Sequence, residues 1–322
     1  MAQTPPDEFA SRYARLNPAQ KQAVDTIEGP VMVVAGPGTG KTQILTLRIA
    51  NILRQTDTPP DTILALTFTN AGVTAIRARL VTLLGSRGYR IPVHTFHSFA
   101  NELIRKYPEK FPRIVGATAA LPIDQIQIME QAIEAGELEL LRPYGDPFHH
   151  LFPALQEIER LKREDISPAK LEEIIVAETK RFELIEDLRH EKGQYAGAIK
   201  GKYQALATQI DKARELTKLY RAYEQGLAER RLYDFGDMVL EVLRVLERDR
   251  DFRLTIQEEY QYVLADEHQD ANQSQNRLLE LLASFHDNPN LFIVGDEKQA
   301  IFQFQGASLD NFDYFKKCRR CL

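Results

Sequence analysis

A chain of 322 residues, 43% of them apolar, has material for one or two packed cores at the usual scale of about 100 to 200 residues per domain. Its net charge of -5 neither announces nor excludes a polyanionic partner, because one local groove can hold a polyanion under an otherwise acidic surface. The opening M-A-Q-T-P-P-D-E-F lacks a basic segment followed by an apolar run, and no later run approaches the roughly 18 apolar residues of a membrane span, so a cytoplasmic protein without membrane contact is expected.

A helix is expected around Pro18 to Thr26, then a strand-like run V-M-V-V-A at 31–35 that leads straight into glycines. A helical pattern follows from Lys41 to Arg54, Pro59 and Pro60 break it, and I-L-A-L-T-F at 63–68 reads as a second strand. A helix from Val73 to Leu84 returns the chain to V-H-T-F at 93–96. Strand and helix alternating at this spacing predict an α/β fold with a parallel β-sheet covered on both faces.

From Tyr107 to Leu227 the pattern turns helical, with helices expected at Ile123 to Ala135, Leu151 to Glu164, Ala169 to Leu188 and Ile199 to Arg230. Pro143, Pro147, Pro153 and Pro168 punctuate them. The locally basic stretch from Arg181 to Arg231 contains Lys192, Lys200, Lys202, Lys212, Arg214, Lys218 and Arg221, and fits either a solvated helical face or a phosphate-contacting one. The first rhythm then returns: a helix from Tyr233 to Leu246, a strand in Y-Q-Y-V-L-A-D-E at 260–267, a helix from Gln273 to Phe285, and a strand in L-F-I-V-G-D at 291–296. Residues 1–106 and 228–322 are therefore expected to form two parts of one α/β domain, with 107–227 as an all-helical insertion domain. Near the end, Cys318 and Cys321 in C-R-R-C lack the two further ligands a structural zinc needs.

A-G-P-G-T-G-K-T, from Ala35 through Gly36, Pro37, Gly38, Thr39, Gly40 and Lys41 to Thr42, matches a phosphate-binding loop except at its first glycine. Backbone amides from Gly36 to Thr42 can still wrap phosphates at a helix N-terminus. Lys41 supplies charge for the β and γ phosphates, and the Thr42 hydroxyl is the expected Mg²⁺ ligand. Asp266 and Glu267, directly after a strand, complete the pattern: Asp266 to hold Mg²⁺ and Glu267 as general base toward the attacking water. The cofactors read from these residues are ATP and Mg²⁺.

Beyond these residues the chain resembles the UvrD/Rep/PcrA group of superfamily one DNA helicases. L-N-P-A-Q-K-Q-A-V, T-F-T-N at 67–70, T-F-H-S at 95–98, Y-D-F-G-D-M at 233–238, D-E-H-Q-D at 266–270 and G-D-E-K-Q-A-I-F-Q-F-Q-G-A at 295–307 carry the likeness. The resemblance implies a RecA-like P-loop domain, adenine recognition by Gln20, and DNA contacts from Thr67, Phe68, Asn70, Thr95, His97, Phe302 and Phe304. It further implies a γ-phosphate sensor at Gln299, and coupling of nucleotide state to DNA through Asp237, Gln269, Asp270 and Gln305. Departures from the family pattern include Ala71 in place of a lysine, the altered G-V-T-A-I that follows it, His268 in place of an aromatic and Gln305 in place of an arginine, so DNA contact and coupling are where this chain differs.

The function implied is the ATP-binding half of an ATP-dependent helicase or translocase that moves along single-stranded or partly duplex DNA, 3′ to 5′. Its later motifs, and the facing arginines they carry, would lie in a C-terminal motor domain, so weak turnover by the 322 residues alone is expected. Repair or recombination proteins are the natural partners of such a motor. An ATP-gated single-stranded-DNA-binding module and a helicase-like subunit of a recombination nuclease are the alternatives.

Overall fold

The computed structural model describes residues 8–192, 194–285 and 288–296, which divide into two compact units at Pro112/Arg113 and Asp237/Met238. The expected borders at 107 and 227 differ: Tyr107 and Phe111 pack on Phe252 of the larger unit and draw the first border on, and the insertion's small strand pair and acidic cap, described below, carry the second past 227.

The larger unit holds α1 (Glu8–Ala14), α2 (Pro18–Asp25), β1 (Val31–Val34), α3 (Lys41–Gln55), β2 (Ile63–Thr67), α4 (Asn70–Leu84), β3 (Val93–Thr95) and α5 (Phe96–Lys106). The smaller unit holds β4 (Thr118–Ala119), α6 (Pro122–Ala135), α7 (Leu151–Arg163), α8 (Pro168–Glu183), α9 (Gly201–Glu229) and β5 (Leu232–Tyr233). The chain then continues through α10 (Phe235–Arg248), α11 (Arg250–Glu259), β6 (Tyr262–Ala265), α12 (Gln273–Ala283) and β7 (Leu291–Gly295), which return it to the larger unit.

Five strands of the larger unit pair in the order β1-β7-β6-β2-β3, every pair parallel. Alternate residues Ile63, Ala65, Tyr262, Leu264, Phe292 and Val294 join a core with α3 and α4, and the intervening Leu64, Leu66, Val263, Ala265 and Ile293 are equally buried. Burial on both faces explains why these strands read as unbroken apolar runs rather than alternating ones. Asp266 N donates to Leu66 O at 2.9 Å and Ala35 N to Gly295 O at 2.9 Å, so the pairing carries on to the residues where chemistry begins.

In the smaller unit α6, α7 and α8 pack on the long α9 around Ile128, Met129, Ile158, Leu171, Leu219 and Leu227. Here the structure corrects two expectations. The helix expected from Tyr233 begins at Phe235 instead, because Tyr233 pairs with Ala119 in the β4–β5 ladder and Asp234 caps the helix. The cap is reciprocal: Asp234 Oδ1 accepts from Asp237 N and Asp237 Oδ2 from Asp234 N, both at 3.1 Å. The helix expected to run to Leu188 ends at Glu183, where Leu184 N and Ile185 N turn back onto Lys180 O and Phe182 O. Three further helices, α1, α5 and α11, lie where the sequence reading placed no element.

One charged cluster sits inside this unit. Lys162, 2% exposed, reaches Glu224 and Asp234 at 2.5 Å and Asp237 at 3.0 Å, while Arg113 meets Glu224 at 3.2 Å and Asp237 at 3.3 Å. Burial pulls the Lys162 ammonium toward neutrality, yet the carboxylates of Asp234, Asp237 and Glu224 outweigh it and hold the group above its ordinary value. Removing the cation leaves three carboxylates facing one arginine, so Lys162→Met is expected to cost about 3–5 kcal/mol, the scale for breaking a buried ion pair from one side. Hydrogen exchange should show the loss concentrated in α7 and α9; a variant as stable as the parent would remove this account of the cluster.

Candidate functional site

Among the described residues of the larger unit, most of the polar ones singled out from the sequence lie at the carboxyl ends of the strands, where open parallel sheets collect ligands. β1 runs into the glycine loop and α3 starts at Lys41. Gly38 and Gly40 have φ of 71° and 84°, a region a Cβ would strain, and a Cβ on Gly38 would meet nothing within 4 Å. Pro37, Gly38 and Thr39 are exposed, and Thr39 Oγ1 closes the turn on Gly36 O at 2.8 Å. Ala35 and Gly36 are half-buried at the loop's root.

Lys41 is 7% exposed and its Nζ lies 3.8 Å from Glu267 Oε2 and 3.9 Å from Asp296 Oδ2, so the loop lysine stands between acids from the ends of β6 and β7. Asp266 is 2% exposed and takes a hydrogen bond from the Thr42 side chain. Burial pushes its carboxyl above the usual range and the Glu267 charge adds to this, while Thr42, the Glu267 amide and Lys41 pull the other way. A threonine hydroxyl and a carboxylate in contact beside an ammonium form a hard-oxygen donor set of the kind Mg²⁺ takes with nucleotide phosphates, so the residues present fit Mg-nucleotide.

Glu267 is half-buried and has φ 52°, ψ 40°, a left-handed backbone that turns its side chain toward Lys41. Gln269, 2% exposed, bridges two strand ends: its Nε2 donates to Glu267 Oε2 at 2.7 Å and its Oε1 accepts from Asp296 N at 2.8 Å. Asp270 is raised by burial and by Glu267. His268 is fully buried.

Gln20 faces the loop from α2. Its Nε2 donates to Thr39 O at 3.0 Å, and its Oε1 accepts from Asn17 N at 2.9 Å within a capping box. A cleft of about 690 Å³ runs beside Asn17, Gln20, Thr26, Val34, Gly36 and Thr39.

T-F-T-N and T-F-H-S come together, because Thr67 and Thr95 are register partners on β2 and β3. Phe68 is half-buried and packs on the buried Phe96 ring, centroids 5.2 Å apart. Asn70 is exposed at the start of α4 and His97 is half-buried in the first turn of α5. The Thr95 hydroxyl accepts from Ser98 N at 3.1 Å as the cap of α5, a local role that by itself accounts for the threonine.

Asp237 belongs to the Lys162 cluster of the smaller unit, where burial opposes ionisation and Lys162 and Arg113 restore it, holding the carboxyl low. Glu224, Asp234 and Asp237 have ligand oxygens within 4.8 Å of one another, but the Lys162 ammonium already occupies the space between them and Arg113 pairs with two of them, so no metal is assigned there. The basic residues of α9 are largely matched by acids: Arg214 meets Asp211 at 2.6 Å, Lys202 meets Asp187 at 2.5 Å, and Arg221 pairs with Glu172. The solvated-face reading accounts for them. Gln299, Phe302, Phe304, Gln305, Cys318 and Cys321 lie outside the described residues.

Sequence reasoning noted Asp296 only as the acid closing a strand, and missed Arg48 and Asn51, whose amphipathic helix hid polar atoms turned inward. No helix among the described residues is long and apolar enough to cross a membrane.

A glycine loop between strand and helix, with an acid-bearing strand in the same parallel sheet, defines a P-loop nucleotide-binding domain of the RecA-like class. The chain belongs to the UvrD/REP helicase family: the family profile described as "UvrD/REP helicase N-terminal domain" matches residues 16–319. It is similar to the "ATP-dependent DNA helicase PcrA" of Staphylococcus aureus (strain Mu50 / ATCC 700699), 29% identical over 310 residues, covering 94% of this chain and 36% of that protein. The protein of the same description from Staphylococcus epidermidis (strain ATCC 12228 / FDA PCI 1200) is 29% identical over 302 residues, with the same coverage. The chain thus spans about a third of the length of these relatives, 36%.

A folded-state carboxyl raised by burial lowers stability above its shifted value, and the penalty fades as pH falls through it. Asp266→Asn is therefore expected to melt no lower than the parent near pH 8, with any advantage shrinking as the pH falls toward the ordinary aspartate range, while Mg²⁺-dependent nucleotide binding is lost. Thermal melts and a binding titration with and without Mg²⁺ check both halves; a variant that binds as the parent does would remove Asp266 from the metal site.

Proposed function

We propose that the chain is the ATP-binding half of an ATP-dependent single-stranded-DNA translocase or helicase, travelling 3′ to 5′ in the complete protein. The observation that carries this is the meeting of Lys41, Glu267 and Asp296 at the ends of adjoining strands, with the Thr42–Asp266 pair beside them. The relatives' name, ATP-dependent DNA helicase, agrees with that chemistry.

In this reading the amides from Gly36 to Thr42 hold the phosphates and Lys41 swings from its two carboxylates to the β and γ phosphates. Thr42 and Asp266 would hold Mg²⁺, which would supply positive charge to the phosphates. Glu267 accepts the proton of the attacking water, and Gln269 keeps that carboxylate in place while linking it to the end of β7.

Gln20 has hydrogen-bonding capacity left over: one N–H beyond the bond to Thr39, and one lone pair beyond the bond from Asn17. A donor beside an acceptor is the pattern that matches adenine at N7 and N6, whereas guanine presents two acceptors there. Phe68, Asn70 and His97, together at one edge of the sheet, supply a stacking ring and polar groups for a single strand.

An ATP-gated single-stranded-DNA clamp is the second reading, favoured by Ala71, which puts a methyl group next to the exposed Asn70 where a cation would reach a phosphate. Phosphate release measured with and without single-stranded DNA separates the two. For a motor, assembled with the remainder of its length, DNA stimulates release and Lys41→Ala abolishes it; a clamp binds DNA in an ATP-dependent way with no stimulated release. Assayed as these residues alone, the segment is expected to bind Mg-ATP and turn it over slowly. Glu267→Gln should keep nucleotide binding and lower stimulated turnover by about 100-fold or more. Unchanged turnover would mean another group takes the proton.

A further inference from the structure

The carbonyls at the carboxyl end of α2 have no partner within their own helix, and α3 provides them. Arg48 is 1% exposed, and its Nη1 donates to Ala23 O at 2.8 Å and to Thr26 O, while its Nη2 donates to Ile27 O at 3.2 Å. Asn51, one turn further along α3, donates from Nδ2 to Val24 O at 3.0 Å. The guanidinium also lies 4.9 Å from the centre of the Phe292 ring on β7, a cation–π contact. A buried cation at a helix carboxyl end gains from the helix dipole as well as from the bonds themselves.

Lysine in that place has no planar fork to reach three carbonyls on separate residues, and a neutral core side chain would leave them bare in the interior. Burial lowers the Arg48 group to about 10, so it stays charged at neutral pH. What the clamp holds is a helix of eight residues whose third residue is Gln20, and the helix it clamps from is the one that begins with Lys41 and Thr42.

We propose that Arg48 is a positioning residue for base recognition: by locking the far end of α2 to the phosphate-loop helix, it fixes how far Gln20 stands from the phosphates and so selects a base of adenine's reach. The inference rests on Gln20 reading the base. Gln20 Nε2 is tied to Thr39 O at 3.0 Å, so a shift of α2 moves the carboxamide, whereas the loop keeps its own closure through Thr39 Oγ1 and Gly36 O.

The test is equilibrium binding of Mg-ATP and of Mg-tripolyphosphate, which has the phosphates and no base, to the 322-residue chain and its variants. Arg48→Gln is expected to weaken ATP roughly ten-fold, tripolyphosphate hardly at all, and to add nothing further when combined with Gln20→Ala. Should Arg48→Gln fail to fold, Asn51→Ala, which removes the bond to Val24 and the one that Asn51 Oδ1 accepts from Gln55 on the same helix, carries the same test with a smaller loss confined to ATP. Equal losses for both ligands would make Arg48 a general core residue and overturn the proposal, as would an ATP preference kept in Arg48→Gln but lost in Gln20→Ala. A parent chain that binds ATP no better than tripolyphosphate, or a Gln20→Ala variant without effect, would instead overturn base recognition by Gln20, and the proposal with it.

Discussion

A parallel sheet buried on both faces has no room for charge along its length, so charge gathers where its strands stop. Leu64, Leu66, Val263, Ala265 and Ile293 are packed to near-complete burial, and the first polar positions after them are Thr67, Asp266 and Asp296. Those residues are themselves almost wholly buried, which is costly for a carboxylate unless something compensates. Lys41 and Thr42 compensate, supplied by the one helix whose start the glycine loop aims at the same edge. Strand order, loop conformation and acid placement are thus consequences of a single requirement.

The same requirement explains why the sheet and its site were legible in the sequence. Buried strands read as apolar runs, and an acid or glycine at the end of such a run is conspicuous; V-L-A-D-E carries both signals in a few neighbouring letters, and V-V-A-G-P-G-T-G-K-T does so on the more open edge strand β1. Elements that depend on distant partners left no such mark. Tyr233 looks helical by its neighbours, yet it pairs with Ala119, a partner more than a hundred residues away in the chain. Arg48 was hidden for a related reason: on a helix, one arginine among leucines and isoleucines looks like the solvent side, and only the carbonyls of α2 reveal that it points inward.

Two ways of accommodating buried charge sit side by side in this chain. Around Lys162, three carboxylates and two cations satisfy one another locally, and the cluster is complete as it stands. Around Lys41 the contacts are looser, at 3.8 Å and 3.9 Å, and the acids are held apart by the strands that carry them. A satisfied cluster stabilises; a loosely satisfied one can exchange partners. In the reading proposed above, phosphates are that exchange partner, and Gln269 is the element that registers it at the end of β7.

Glu267 keeps a left-handed backbone at φ 52°, a conformation that costs a residue with a side chain roughly 1–2 kcal/mol and costs glycine almost nothing. Heat resistance and chemistry therefore pull this position in opposite directions. Directed evolution for survival at high temperature alone should enrich Glu267→Gly or Glu267→Asn, relaxing the turn and discarding the carboxylate that faces Lys41.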